Sequence, residues 1–203
     1  MRVISKKPIT FLIASLVLFL VIGFSDLGEY NINELTELIK NPNSENVSLD
    51  RKLEENEVII SRVIDGDTLI VLNHEGREEI VRLLLIDTPE TVHPTKEEQK
   101  YGKEASEFAK KHLTQGKKVI LERGNPEKDI YDRTLGFVFV DGINFNQLIV
   151  EEGYARVAYT DQPNTKYLDQ LKEAEKRAKT KKLNIWSIEG YVTNNGFDMS
   201  VID

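Results

Sequence analysis

The spacing of apolar residues changes twice along this chain. Ile9–Phe24 is a run of 16 residues without a charge, preceded by Arg2, Lys6 and Lys7. Residues 26–57 are polar and acidic, with few apolar positions. From Val58 onward apolar positions either alternate or recur every three to four residues, the periods of strand and helix respectively.

In this last part the alternation predicts strands over Val58–Ile64, Thr68–Asn73 and Glu79–Ile86, separated by Asp65-Gly66-Asp67 and His74-Glu75-Gly76. Asp-Gly between two apolar runs is a hairpin signal. Along Glu79–Ile86, Val81, Leu83 and Leu85 share one face and Arg82 lies on the other. Two more strands are expected over Val119–Glu122 and Gly136–Val140. Helical spacing puts Ala105, Phe108, Ala109 and Leu113 on one face, with Gly116 beyond the end. A short helix over Phe145–Glu152 stops at Gly153, and a third spans Thr165–Lys179 with Leu168, Leu171, Ala174 and Ala178 inward. Five strands with interspersed helices predict an α+β fold, a five-stranded OB-type β-barrel with three helices, preceded by an N-terminal hydrophobic helix.

The leader sits between two sizes. A membrane-spanning helix needs about 20 apolar residues, and the hydrophobic region of a secretion signal has about 7–15. Gly23 and Ser25 form a small-x-small pattern around the bulky Phe24. Residues 1–25 are therefore expected to be a signal peptide or membrane anchor, 26–57 an acidic linker, 58–186 the functional domain and 187–203 a C-terminal tail. Within the linker, Asn31 and Glu34 resemble a capping box, and Leu35, Leu38 and Ile39 share a helical face until Pro42. The basic start predicts export, with the rest of the chain extracellular or anchored facing outside.

The 203 residues carry a net charge of −7, which read globally argues against a polyanionic partner. The distribution weakens that objection, because residues 25–57 hold nine acids against three bases. There are no cysteines, which excludes disulfides, thiolate metal sites and a cysteine nucleophile. His74, His93 and His112 are dispersed and are expected at solvent-exposed positions. Lys96, Lys100, Lys103, Lys110 and Lys111 read as a solvated face, and Trp186 as packing for the last helix.

Asp67 sits in a tight turn and Asp87 ends the third strand, with no evident cationic partner in sequence. Alone, Asp65, Asp67 and Asp87 read as ordinary turn residues. If the strands bring two carboxylates together, their repulsion calls for a cation, and oxygen donors without Cys or His select Ca²⁺ or Mg²⁺. Arg82 lies in the apolar run Val81–Ile86. Buried, it needs an anionic partner, either a carboxylate or a phosphate; on the outer face it needs none.

Four segments are more specific together. Val63-Ile-Asp-Gly-Asp-Thr68, Arg82-Leu-Leu-Leu-Ile-Asp-Thr-Pro-Glu-Thr91, Tyr131-Asp-Arg133 and Lys182-Leu-Asn-Ile-Trp186 resemble, in order and spacing, the signatures of the thermonuclease (staphylococcal nuclease) family. The similarity covers Val58–Trp186. It implies a calcium ion held by Asp67, Asp87 and the main-chain carbonyl of Thr88. It also implies Arg82 and Arg133 on the scissile phosphate, Glu90 beside the attacking water, and Tyr131 and Tyr159 on the nucleotide. A monomeric calcium-dependent endonuclease acting on DNA and RNA and leaving 3′-phosphates is then expected. Ile130 and Asp161 depart from the best-known member of that family, which has a lysine and a tyrosine there, and both lie on the substrate side. Two rivals remain: a barrel that binds RNA or protein without catalysis, against which Arg82, Glu90 and Arg133 speak, and a membrane-attached interaction protein, supported by the leader and linker alone.

Overall fold

The computed structural model describes residues 53–91 and 98–202. The leader, most of the linker, His93 and Lys96 lie outside them. The described residues fall within one compact unit, Lys52–Asp203.

β1 (Glu57–Val63) and β2 (Thr68–Leu72) form the antiparallel hairpin that the Asp-Gly signal predicts, and β2 pairs in turn with β3 (Glu78–Leu83). β3 stops three residues short of the expected Ile86. Leu85 takes a left-handed backbone (φ 64°), the chain turns at Leu84-Leu85, and a separate two-residue strand β4 (Ile86–Asp87) pairs with β8 (Arg156–Val157). The apolar run is unbroken because both the strand and the turn are buried: Val81, Leu83, Leu84, Leu85 and Ile86 all sit in the core. Period and burial cannot show such a corner.

β5 (Lys118–Lys128) is longer than its apolar stretch, and its outer half pairs across a register shift with β6 (Thr134–Val140). β5 also pairs with β1, and β6 lies parallel to β3 with Val81 opposite Thr134. The order β1-β2-β3-β6-β5 therefore closes on itself, a five-stranded barrel of the OB type. A short β7 (Ile143–Asn144) extends the sheet beyond β6.

Three helices cover the barrel, as expected: α1 (Gly102–His112), α2 (Phe145–Glu151) and α3 (Leu168–Thr180). They bury Ala105 and Ala109, Phe145 and Ile149, and Leu171, Ala174 and Ala178 against a core that includes Val58, Leu69, Val71 and Val138. Full burial of each large apolar side chain contributes about 1.5–3 kcal/mol. His112, expected in solvent, is half-buried with its ring 4.5 Å from Phe108, and His74 is also half-buried. Trp186 is half-buried in a 3₁₀ turn under Lys179, whose Nζ is 4.4 Å from its ring.

Residues 187–202 are structured. β9 (Val192–Thr193) and β10 (Gly196–Phe197) form a small hairpin, and Tyr191 before it is wholly buried. Among the described residues, no helix is long and apolar enough to cross a membrane.

Candidate active site

The β1–β2 turn and the corner after β3 meet because Gly66 has no side chain. A Cβ there would lie 2.8 Å from Thr88 Cγ2 and 3.0 Å from the Ala105 Cβ. This approach lets the Thr88 amide and hydroxyl donate to Asp67 Oδ2, at 2.9 and 3.1 Å, while the Thr68 hydroxyl donates to Oδ1 at 3.0 Å. Asp67 is thereby fixed at 5% exposure, and the same Thr88 follows directly on Asp87.

Arg82 faces both carboxylates. Its Nη2 is 3.2 Å from Asp67 Oδ2 and 3.6 Å from Asp87 Oδ1, and its Nη1 donates to the carbonyls of Leu83 and Ile86 at 3.0 and 3.1 Å. The outer-face alternative is thus excluded: Arg82 is almost buried, with four acceptors around its guanidinium. The expectation that Asp67 and Asp87 lack cationic partners is also corrected. Arg82 serves both, and Arg156 on β8 reaches Asp87 Oδ2 through Nε and Nη2, each at 2.9 Å. A two-residue strand pairing, Asp87 opposite Arg156, makes that contact, and no sequence separation hints at it.

Three acids, Asp65, Asp67 and Asp87, thus share two guanidiniums. Burial, and then the Asp67 charge, push the Asp65 carboxyl up to about 7. Asp87 is raised for the same two reasons, against the opposing pull of Arg156 and Arg82. The arginines therefore do not neutralise the cluster fully, and a hard cation suits a donor set made only of oxygen. Asp67 and Asp87, which face one guanidinium, and the adjoining Thr88 carbonyl suit such an ion in the chemistry of their oxygens. Among the described residues, no group of three or more His, Cys, Asp or Glu forms a ready metal cluster.

Beside this cluster runs a groove of about 460 Å³ lined by Arg82, Arg133, Tyr131 and Tyr159, with Asp129, Asp161 and Leu84 among its other walls. Tyr159 lies 5.5 Å from the Arg82 guanidinium and Tyr131 5.5 Å from that of Arg133, and both rings are largely exposed (65% and 74%). Arg133 is also steadied by Asp129, its Nε donating to Asp129 Oδ2 at 2.8 Å. Arg82 and Arg133, 51 positions apart, thus face one space. Ile130 stands at the tip of the β5–β6 loop, 91% exposed.

Glu90 is exposed and does not line this groove. Its main chain is held firmly: the Glu90 amide donates to Gln99 Oε1 at 2.8 Å, and the Gln99 amide donates to the Glu90 carbonyl at 3.0 Å. Gly102 packs so closely that a Cβ there would stand 2.5 Å from the Glu90 carbonyl oxygen. The sequence reading missed Arg156. Its signal was the one that marked Arg82, a single charge inside an apolar run, here Tyr154-Ala155-Arg156-Val157-Ala158.

One end of a closed OB-type barrel thus gathers a carboxylate pair, two arginines and two exposed tyrosines. The chain belongs to the staphylococcal nuclease homologue family, whose model matches residues 80–188. It is similar to endonuclease YncB of Bacillus subtilis, 45% identical over 141 residues that make up 70% of this chain and 66% of the relative. A prophage-derived endonuclease of the same organism, YokF, is 45% identical over 142 residues and is matched over 48% of its length. The thermonuclease of Staphylococcus hyicus is 47% identical over 128 residues, 63% of this chain and 74% of that protein. The chain thus spans slightly under two thirds of the first relative and about half of the second.

Proposed function

We infer that this chain is an exported nuclease that hydrolyses phosphodiester bonds of DNA and RNA with calcium as cofactor. The observation that carries the reading is the convergence of Arg82 and Arg133 on one groove beside the Asp67–Asp87 pair.

Hydrolysis builds negative charge on the phosphoryl oxygens, and catalysis consists largely of meeting that charge with donors already in place. Arg82 is preorganised by its two carbonyl acceptors and Arg133 by Asp129. Each offers paired donors that match phosphate oxygens. Tyr131 and Tyr159 supply faces for the sugar or base on either side, a sequence-tolerant grip. Glu90, exposed on its pinned loop outside the groove walls, is the residue that the family resemblance puts beside the attacking water, to orient it and take its proton. The water oxygen joins phosphorus, the bond to the 5′ oxygen breaks, and the departing oxygen gains a proton from solvent. The products are a 3′-phosphate and a 5′-hydroxyl, as the family resemblance implies. Calcium, held by Asp67, Asp87 and the Thr88 carbonyl, supplies further positive charge against the phosphate when bound.

The test is cleavage of single-stranded DNA and RNA by the purified protein in calcium or chelator, with end-group analysis of the products. Calcium-dependent cleavage that Asp87→Ala abolishes in a folded protein is expected. Binding of the oligonucleotides without cleavage in either condition would make the chain a binding module instead.

A further inference from the structure

Asp87 is held in place from outside the barrel. Its Oδ2 accepts from both the Nε and Nη2 of Arg156, which leaves Oδ1 turned toward Arg82, the guanidinium that Asp67 also faces. Arg156 is 9% exposed, and its remaining side faces the C-terminal hairpin. Its Nη1 donates to the Asn194 carbonyl at 3.3 Å in the β9–β10 turn, and its guanidinium carbon lies 6.0 Å from the Phe197 ring on β10. The hairpin is itself anchored. Tyr191 is fully enclosed, its ring 5.4 Å from Phe197, its hydroxyl donating to the Lys100 carbonyl, and its own carbonyl accepting from the Asp198 amide at 2.8 Å. The Tyr101 hydroxyl and Ser187 Oγ share a further bond of 2.9 Å. Residues 191–197 lie beyond the stretch that the family model matches, which ends at 188.

We propose that this hairpin is a strap that positions Arg156, and that Arg156 in turn presents one oxygen of Asp87 to the cation. The proposal rests on the calcium reading given above. A ligating carboxylate that rotates freely loses affinity through the entropy of ordering it, and partners that fix a ligand are worth about 10–100-fold in metal affinity. The contacts divide that work. The carboxylate is gripped by Arg156, and Arg156 is gripped on its far side by the Asn194 carbonyl and the face of Phe197, a ring well suited to a guanidinium. Arg156 is here a positioning residue that acts through Asp87.

Calcium chloride is titrated by calorimetry into the full-length chain carrying no change, Phe197→Ala, Arg156→Lys, or both. Thermal melts in chelator accompany each variant. The expected result is a weakening of calcium binding by about 5–10-fold for Phe197→Ala and about 10-fold or more for Arg156→Lys. The double variant should be no weaker than Arg156→Lys alone, because both changes release the same carboxylate. Turnover of Phe197→Ala should recover at saturating calcium, which a loss of folding or of phosphate binding would not allow. Wild-type calcium affinity in Phe197→Ala, or losses that simply multiply, overturns the strap. Absence of calcium binding in the unchanged chain overturns the cofactor reading itself and is distinguished from the first outcome by that control.

Discussion

Individual residues decide whether the two halves of the site touch. Gly66 is needed for space, since any side chain meets Thr88. Gly66→Ala is expected to push Thr88 from Asp67, lowering stability by about 1–3 kcal/mol as overpacking does and weakening calcium binding further than the stability loss alone explains. Denaturant melts beside calcium titration measure the two effects separately. At Arg82 and Arg133 the shape of the cation matters more than its charge. Lysine keeps the charge but offers no fork, so Arg82→Lys and Arg133→Lys should each lower kcat by about 10²–10³. Near-wild-type turnover of Arg133→Lys would remove that residue from phosphate recognition. Glu90→Gln should slow turnover and leave calcium affinity near its original value, because Glu90 lies outside the proposed ligand set. The close approach at Gly66 shows only in the fold, whereas Arg82, Glu90 and Arg133 were legible in sequence as members of motifs that resemble a family's. Arg156 was not, because its partner Asp87 lies 69 positions away and is reached only through a strand pair two residues long.

At the scale of elements, the corner between β3 and β4 is what the apolar pattern concealed. Leu85 sits there with φ 64°, an uncommon conformation for a residue with a branched side chain, and it is held by burial and by the Ala158 amide donating to its carbonyl. The fully buried Asn146 completes the clamp: its amide donates to the Leu84 and Gly136 carbonyls and its oxygen accepts from the Val138 amide. Strand periodicity reports which face is buried, so it is silent about a corner whose residues are buried all round. A second polar pin stands at the seam between β3 and β6. Glu79 accepts from Asn73, Arg123 and Thr134 at once, joining three strands to the end of a fourth element. Burial would raise the Glu79 carboxyl, but the hydrogen bonds from Arg123 and Asn73 outweigh it and hold it below the usual range. Because the folded state binds the proton less readily than the unfolded one, the stability Glu79 contributes is present above about pH 4.5 and is lost as the pH falls through its lowered value. Glu79→Gln should cost about 1–3 kcal/mol at neutral pH and much less under acid conditions, measured by denaturant melts at several pH values.

For the whole molecule, the crowded acids tie stability to the calcium binding proposed above. Asp65 keeps its proton up to about 7 in the folded chain but only to about 3.8 when unfolded, so between these values the folded state holds more protons. Its contribution is therefore fully present below about pH 3.8 and disappears as the pH rises toward 7. In the calcium-free protein Asp65 is therefore expected to cost stability over that rise, against the gain from Glu79, and calcium to stabilise more the higher the pH, because ligands must shed protons to bind. Melting curves with calcium and with chelator across pH 4–8 show this; a calcium increment that shrinks with pH contradicts it. The barrel, its helices and their order were readable from residue 58 onward because period and turn chemistry agree there. The proposal of export rests on Arg2, Lys6, Lys7 and the run after them, and a reporter active only outside the cytoplasm, fused after residue 57, tests it.

The parallel seam between β3 and β6 has a consequence for the order in which the chain acquires structure. Val81 and Thr134 are joined across more than fifty intervening residues, so the meander β1-β2-β3 can form early while its free margins stay open. Until Thr134–Val140 is available, those margins present unpaired amides and carbonyls beside an apolar face, the condition under which strands recruit strangers. Arg133 precedes β6 directly, so the second arginine of the groove is delivered by the same event that seals the seam. A growing chain is therefore open to aggregation until the last margin closes, and under the nuclease function proposed above it stays harmless to nucleic acid for that same interval.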